Sequence, residues 1–278
     1  MTKADILVMG ATGKVGRLLR AHWRGTGMAT AWQGRSAGLA PGWVRWEAGM
    51  PMPPTHILCL LSGVTAGDTT ALEENRKIGL EVAKAAIAAD VDCILLASTM
   101  AVYGLTPRGG ASEDTPAETP RPYGLAKLAM EKAMADHLHG TSTALCALRL
   151  GNVAGADMLG SVVATGRRVV LDRFADGHGP VRSYVGPGHL ARVVEGLAHR
   201  VLRGGALPAV LNVAGQQPVA MADILHAAML PFDWQDAGRD AVQHVSMDCT
   251  RLASLIPANP PQESAAGLAQ EWLEAARA

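Results

Sequence analysis

Apolar positions along this chain fall into short runs separated by longer stretches with helical spacing. Ile6–Met9 is an unbroken apolar run, and Lys14–Arg24 follows with Val15, Leu18, Leu19 and Trp23 on one helical stripe, closed by Gly25 and Gly27. The first pattern predicts a buried strand and the second an amphipathic helix. Thr30–Gln33 and Val44–Trp46 read as strands, the second weakly, and His56–Leu61 as a buried strand. Thr69–Ala89 reads as a helix, Cys93–Ala97 as a strand, Tyr123–Leu138 as a helix and Ala144–Leu150 as a strand. Strands alternating with helices predict an α/β fold: a Rossmann-type, doubly wound parallel sheet covered on both faces.

The second half is less regular. Val169–Leu171 and Arg182–Val185 read as short strands, Leu190–Leu202 as a helix, and Val210–Val213 as a strand returning to the main sheet. Ala220–Leu230 and Ser264–Ala276 read as helices. The expected division is a dinucleotide-binding domain over residues 1–160, rejoined by a strand near 209–215, and a smaller, mainly substrate-binding segment over 161–278.

Composition narrows the function classes. Lys plus Arg number 25 and Asp plus Glu number 25. A balanced charge argues against a general nucleic-acid or membrane-surface binder, since phosphate backbones are gripped by excess cations. Cys59, Cys93, Cys146 and Cys249 lie far apart without metal or redox spacing, so they read as small core residues. His137 and His139 at a helix end suit the negative end of its dipole, and no metal-ligand set is evident. No apolar stretch approaches the ~20 residues that span a bilayer. The expectation is a cytoplasmic protein whose partner is a small-molecule substrate, with no nucleic acid, membrane or metal; a homodimer is left open.

Two patterns carry candidate chemistry. Gly10-Ala11-Thr12-Gly13-Lys14-Val15-Gly16 joins the first strand to the first helix. Glycines there permit a tight turn, backbone approach to a pyrophosphate and close helix–strand packing, and the helix N-terminus offers N–H groups to phosphates. Tyr123 and Lys127 lie four apart on a helix, on one face. A phenol titrates near 10, and a neighbouring ammonium favours phenolate, so the pair is expected to lower the Tyr123 pKa and make it a general acid–base. Ser98-Thr99 ends the preceding strand, on the side where open α/β sheets place ligands, and a hydroxyl there can orient a reacting oxygen. Tyr103 reads equally as pocket wall or packing.

With these residues the chain resembles an extended short-chain dehydrogenase/reductase of the NAD-dependent epimerase/dehydratase family. The resemblance implies that Gly10, Thr12, Gly13, Lys14, Val15 and Gly16 hold the cofactor pyrophosphate. It places Leu60, Leu61 and Ser62 beside the adenosine, with Asn75 matching a recurrent family asparagine. Counting back from Tyr103 assigns the catalytic hydroxyl to Thr99, with Tyr123 and Lys127 as the Tyr-x-x-x-Lys pair and Ala97 on the cofactor side. Arg149–Gly155 resembles the segment that meets nicotinamide through Leu150 and Val153 and then substrate through Asn152. Ser98 and Arg182 are further candidate substrate contacts, Arg182 reading equally as a surface salt-bridge residue.

The implied activity is NAD(P)-dependent oxidoreduction or epimerisation at a carbinol or carbonyl carbon of a polar hydroxylated substrate, a sugar or sugar nucleotide. The competing reading is a non-catalytic NADP-sensing or RNA-associated protein on the same fold, disfavoured by the complete Thr99, Tyr123 and Lys127 set. Sugar 4,6-dehydratases of the family carry an acidic pair after the catalytic threonine, where this chain has Met100 and Ala101, so dehydratase activity is not expected. His189 departs from a commonly acidic position ahead of Leu190; a changed helix cap is expected there, and Val185–His189 is a run expected to reshape the substrate side.

Cofactor preference is read from the second strand. NAD-specific sites place Asp or Glu at its end, ~20 residues past the glycine loop, to hold the ribose hydroxyls. No acidic residue lies between Asp5 and Glu47, and the strand ends Trp32-Gln33-Gly34-Arg35-Ser36. Arg35, Ser36 and Lys14 suit the 2′-phosphate, so NADP(H) is expected to bind better than NAD(H). The alternative is that Arg35 is a solvated loop residue.

Overall fold

The computed structural model describes residues 3–25, 27–36, 40–61, 63, 69–256 and 263–277. In chain order its elements are β1 (Ala4–Met9), α1 (Lys14–His22), β2 (Thr30–Gly34), β3 (Trp43–Arg45), β4 (Thr55–Leu60), α2 (Thr69–Ala88), β5 (Cys93–Thr99), α3 (Pro122–Leu138) and β6 (Ala144–Leu150). They continue as β7 (Asn152–Val153), α4 (Met158–Val163), β8 (Val169–Arg173), β9 (Val181–Arg182), β10 (Tyr184–Val185), α5 (Pro187–Leu202) and β11 (Val210–Val213). The last are β12 (Val219–Ala220), α6 (Met221–Ala227), β13 (Phe232–Asp236), β14 (His244–Val245), α7 (Thr250–Leu255) and α8 (Ala265–Arg277).

Seven strands form one sheet in the order β11-β6-β5-β4-β1-β2-β3, with every pairing parallel. Both faces are buried, which is why the central strands read as continuous apolar runs. Ile6 and Val8 join Ile57, Cys59 and Leu95 in one cluster, with Leu18 and Leu19 of α1 and Leu190, Val194 and Leu197 of α5. Leu7, Met9, Leu58, Leu60, Ile94 and Leu96 face the other way, onto Val82 and Ala86 of α2 and Met130 and Met134 of α3. The expected α/β doubly wound sheet is therefore present, and β11 pairs with β6 as expected. All four cysteines are buried and unpaired. No helix among the described residues is long and apolar enough to cross a membrane.

The second half departs from the sequence expectations in several places. Arg182–Val185 is not one strand but two. Its first part pairs with β12 and β14, and its second pairs with β7. The switch falls at Ser183, whose N–H donates to Val245 O and whose hydroxyl accepts from Met247 N. β13 has no counterpart among the expected elements; it pairs with β8, and Phe232 and Trp234 alternate with polar residues on a half-exposed ribbon. α6 is shorter than Ala220–Leu230, because Met229 takes a left-handed backbone (φ 55°). A third cluster, holding Leu159, Leu171, Tyr184, Ile224, Leu225 and Trp272, forms the core of this part.

Candidate functional site

Strand order reverses about β1, between β2 on one side and β4 on the other, so a crevice opens at their carboxyl ends. The glycine loop lies there. Gly10 takes a left-handed turn (φ 80°) and its carbonyl accepts from Gly13 N at 2.9 Å. Gly16 packs against that turn so tightly that a Cβ would lie 2.7 Å from Ala11 Cα and closer still to Gly10 O. Gly13 caps α1 without any side-chain hydrogen bond, leaving first-turn N–H groups for an anion. Thr12, Gly13 and Lys14 are exposed and Val15 half-buried. These features fit a dinucleotide pyrophosphate. Leu60 is buried at the end of β4, and Leu61 N donates to Met9 O at 3.0 Å, bringing the two strand ends together.

At the end of β2, Arg35 and Ser36 are exposed. Gln33 is buried beneath them; its Oε1 accepts from Gly10 N at 3.2 Å and its Nε2 donates to Trp46 O at 2.8 Å. Where an acid would hold ribose, this chain thus uses a neutral amide to fasten the glycine loop to the start of the next segment. Lys14 is exposed, and its ammonium donates to Ser161 Oγ of α4 at 2.9 Å, a neutral partner that leaves its charge in place.

The proton-handling candidates meet at the carboxyl end of β5. Thr99 closes the strand and its Oγ1 accepts from Ala101 N at 3.2 Å, starting a 3-10 turn over Met100–Tyr103. α3 begins with Pro122 at its first position, so Tyr123 enters the site one residue into the helix. The Tyr123 hydroxyl lies near enough to the Thr99 side chain for that hydroxyl to favour its ionised form. The phenol's pKa departs from the expected direction: burial raises it, and the Thr99 hydroxyl only partly counters that. The physical reason is that Lys127 is turned elsewhere. It is buried, and its Nζ donates to Ala97 O at 3.0 Å. Burial brings the ammonium down to about 8, with Glu131 opposing the fall.

Lys127 also meets the end of β4. A Cβ at Gly63 would lie 2.8 Å from Lys127 Nζ and 2.6 Å from Asn75 Oδ1. Asn75 is buried, with Nδ2 donating to Leu72 O at 3.0 Å. The adenosine side, the asparagine and the lysine therefore converge on one point. Ser62 lies outside the described residues.

Several expected substrate contacts are engaged elsewhere. Ser98 is buried and donates to Glu131, because strand alternation turns it onto α3. Arg182 is neither a surface ion pair nor an open grip. Its Nη1 donates to Val181 O at 2.8 Å and Gln243 O at 2.7 Å, and its Nη2 to Val242 O at 2.7 Å. Asn152 lies on β7, paired with β10, whose Tyr184 hydroxyl donates to Asp157 Oδ2 at 2.7 Å. The run Val185–His189 is buried and docks on late-chain carboxylates. Gly186 N and His189 Nδ1 each lie 2.8 Å from Glu263 Oε1, and Gly188 N donates to Glu271 Oε2 at 2.8 Å. α5 is thus capped from a distance, which is the changed cap expected at His189. Ala97, Leu150 and Val153, expected on the cofactor side, are all buried.

Sequence reasoning missed a polar network behind the tyrosine. Arg149 donates to Glu131 at 2.9 and 3.4 Å and stacks over the Tyr103 ring at 4.8 Å. Tyr103 donates to Asn212 Oδ1 at 2.7 Å, and Asn212 N donates to Glu113 Oε1 at 2.9 Å. Two signals were available. Glu131 continues the helical stripe of Tyr123 and Lys127, and Arg149 interrupts an otherwise apolar strand, so it requires a buried partner.

The model of the NAD dependent epimerase/dehydratase family matches residues 50–204. That stretch contains Thr99, Tyr123 and Lys127; the glycine loop precedes it. The UDP-glucose 4-epimerase of Lacticaseibacillus casei is 30% identical over 189 residues, 59% of this chain and 52% of that protein. The UDP-glucose 4-epimerase of Rhizobium leguminosarum bv. trifolii is 35% identical over 115 residues, 40% of this chain and 35% of that protein. The matches span about half or less of the length of these curated relatives. Among solved structures, Thermus thermophilus UDP-glucose 4-epimerase complexed with NAD superposes with a TM-score of 0.74 at 20% identity, covering 98% of both chains. The UDP-N-acetylglucosamine 4-epimerase of Methanobrevibacter ruminantium M1, in complex with UDP-N-acetylmuramic acid, gives 0.76 at 16% identity, over 98% of this chain and 99% of that one. At these identities the superpositions speak for a shared fold.

Proposed function

Because the chain belongs to the NAD dependent epimerase/dehydratase family, we propose that it oxidises or epimerises a carbinol carbon of a sugar nucleotide, with Tyr123 as general acid–base. What supports this reading is that Thr99 ends β5 with Tyr123 beside it, and the Lys127 ammonium sits on the Ala97 carbonyl two residues earlier, in the sheet whose crevice holds the glycine loop. A nicotinamide dinucleotide bound over that loop supplies a reversible hydride acceptor. Gly10, Thr12, Gly13, Val15 and Gly16 would hold its pyrophosphate, with Lys127 and Asn75 toward its nicotinamide half.

The residues then divide the work. Thr99 and Tyr123 hold the reacting oxygen between two hydroxyls. Tyr123 takes the hydroxyl proton as the carbon is oxidised and gives it back on reduction. Thr99 is the neighbour that eases loss of the phenolic proton against burial, and Lys127, held on the Ala97 carbonyl, stands toward the cofactor side. Met100 is buried and Ala101 has no ionisable group, so the chain lacks the acid that water elimination would use; we infer no dehydratase activity. Residues 1–160 with the strand near 209–215 form the dinucleotide-binding part, and residues 161–278 mainly the substrate side.

The NAD carried by the Thermus thermophilus structure does not set this chain's preference, because the end of β2 differs in kind from an acidic one. Arg35 is exposed and makes no hydrogen bond or ion pair to another described residue. It and Ser36 favour NADP(H).

The test is a panel of nucleotide sugars incubated with NAD or NADP, with products resolved by NMR for inversion or ketone formation. Tyr123→Phe keeps the ring but should cut turnover by roughly 10²–10⁴ while leaving dinucleotide affinity nearly unchanged. Wild-type turnover in Tyr123→Phe would remove the assignment.

A further inference from the structure

The loop after β1 and the segment after β6 leave the sheet at the same end. Within the sheet, β4 and β5 lie between β1 and β6. Three strand spacings therefore separate the two exits, about 14 Å. The Lys14 side chain helps to bridge that gap. Lys14 is the first residue of α1, and its Nζ donates to Ser161 Oγ of α4 at 2.9 Å. The link joins the glycine loop to the second half of the chain across the carboxyl ends of β4 and β5, the end at which Leu60 and Thr99 close their strands.

The two partners differ in freedom. Ser161 is held. Its hydroxyl donates to Asp157 O at 2.7 Å, which leaves its oxygen to accept from the lysine. Asp157 in turn caps α4 through Gly160 N at 3.1 Å and accepts from the buried Tyr184 hydroxyl at 2.7 Å. Lys14 is exposed and carries its ammonium on a flexible four-carbon stem. Among the described residues no carboxylate pairs with it. Arg17, one turn on, is tied back to Thr12 O at 3.0 Å. A cation on a neutral hydroxyl can swing aside, and it keeps its charge for a phosphate at the N-terminus of α1.

We propose that Lys14 and Ser161 form a gate on the dinucleotide crevice: the bridge opens for the cofactor to enter or leave and closes again over it. Ser161 acts by holding the lysine and makes no contact with the cofactor itself. A gate that opens for both directions changes entry and release together and leaves affinity nearly unchanged. A residue that grips bound cofactor changes mainly release.

This inference rests on the proposed binding of a nicotinamide dinucleotide at the glycine loop, so its test reads binding kinetics and no turnover. Stopped-flow fluorescence of NADPH gives the entry rate on mixing and the release rate on displacement by excess NADP. Both are measured in the wild type, Ser161→Ala, Ser161→Thr and Lys14→Met. In Ser161→Ala, entry and release should each rise by about three- to tenfold, the range for loss of one hydrogen bond, with the dissociation constant nearly unchanged. Ser161→Thr keeps a hydroxyl and should match the wild type. Lys14→Met opens the gate and also removes a charge beside the phosphates, so release should rise more than entry. Unmoved rates in Ser161→Ala overturn the gate and leave the proposed reaction standing. A rise in release alone in that variant also overturns it, because it marks the pair as a grip on bound cofactor. A wild type that binds neither NADPH nor NADH overturns the proposed function, and the gate with it.

Discussion

Gly16→Ala sets two effects against each other. Gly16 is the third residue of α1, and replacing glycine by alanine in a helix favours the helix by up to about 1 kcal/mol. Here the new Cβ would lie 2.7 Å from Ala11 Cα and 2.8 Å from Ala11 C, and closer still to Gly10 O. All three are backbone atoms, so no side chain can rotate aside. Overpacking of this kind costs about 1–3 kcal/mol, and three simultaneous overlaps place it at the upper end. The net loss is about 2 kcal/mol, or roughly 4–8 °C in melting temperature for a domain of this size. Dinucleotide affinity should fall as well, because relief requires the loop to open. Gly267→Ala is the control. It is also the third residue of a helix, α8, but its Cβ would meet only Ser264 Oγ at 3.3 Å, so it should hold or raise the melting temperature. Differential scanning calorimetry with and without NADP reads both. A Gly16→Ala protein as stable as the wild type, with unchanged affinity, would refute the packing argument.

Three further outcomes follow from the geometry. Arg35→Ala should erase most of the preference for NADP(H) over NAD(H) in calorimetric titrations of both cofactors; equal affinities in the wild type would sink the preference itself. Tyr103→Phe removes the donor to a buried Asn212 oxygen and should cost about 1–3 kcal/mol in denaturant unfolding, with dinucleotide binding unchanged. Lys127→Met should relieve the cost of a buried cation. The folded-state pKa is about 8 against 10.5 for an unperturbed lysine, so the unfolded state binds the extra proton between those values and wild-type stability rises with pH there. The variant should therefore be the more stable at pH 7, by up to about 3 kcal/mol. Its advantage should shrink as pH rises from 8 to 10.5, read from melts across that range.

The sheet was legible because a strand buried on both faces shows as an uninterrupted apolar run, as in the central strands β1, β4 and β5. The weakest pattern, β3 at the sheet edge, starts one residue earlier than expected because Trp46 leaves the strand to enter the core. The glycine loop and the Tyr123–Lys127 pair were legible because both are local, with their spacing written in consecutive residues. What stayed hidden depends on distant partners. The glutamine under the glycine loop is defined by a carbonyl 13 residues on. Arg182 shows no local sign that carbonyls 60 residues away will take up its guanidinium. The direction of the Tyr123 shift was missed because spacing places the lysine on the right face but does not reveal that the Ala97 carbonyl holds its ammonium.

The carboxylates that cap α5 also bear on how the chain assembles. Glu263 and Glu271 supply acceptors for Gly186 and Gly188, and the Glu271 carbonyl bonds His22 of α1 across 249 residues of sequence. A ribosome, at roughly 5–20 residues per second, delivers these groups well after the elements they hold. During that interval the His22 ring lacks this partner, α5 has an open first turn, and β6 presents an unpaired edge until Val210–Val213 arrives. Contacts this remote in sequence carry a large loop-closure cost and slow folding. The nascent chain is therefore exposed to misassociation until α8 emerges, and that helix acts as a latch on α1 and α5.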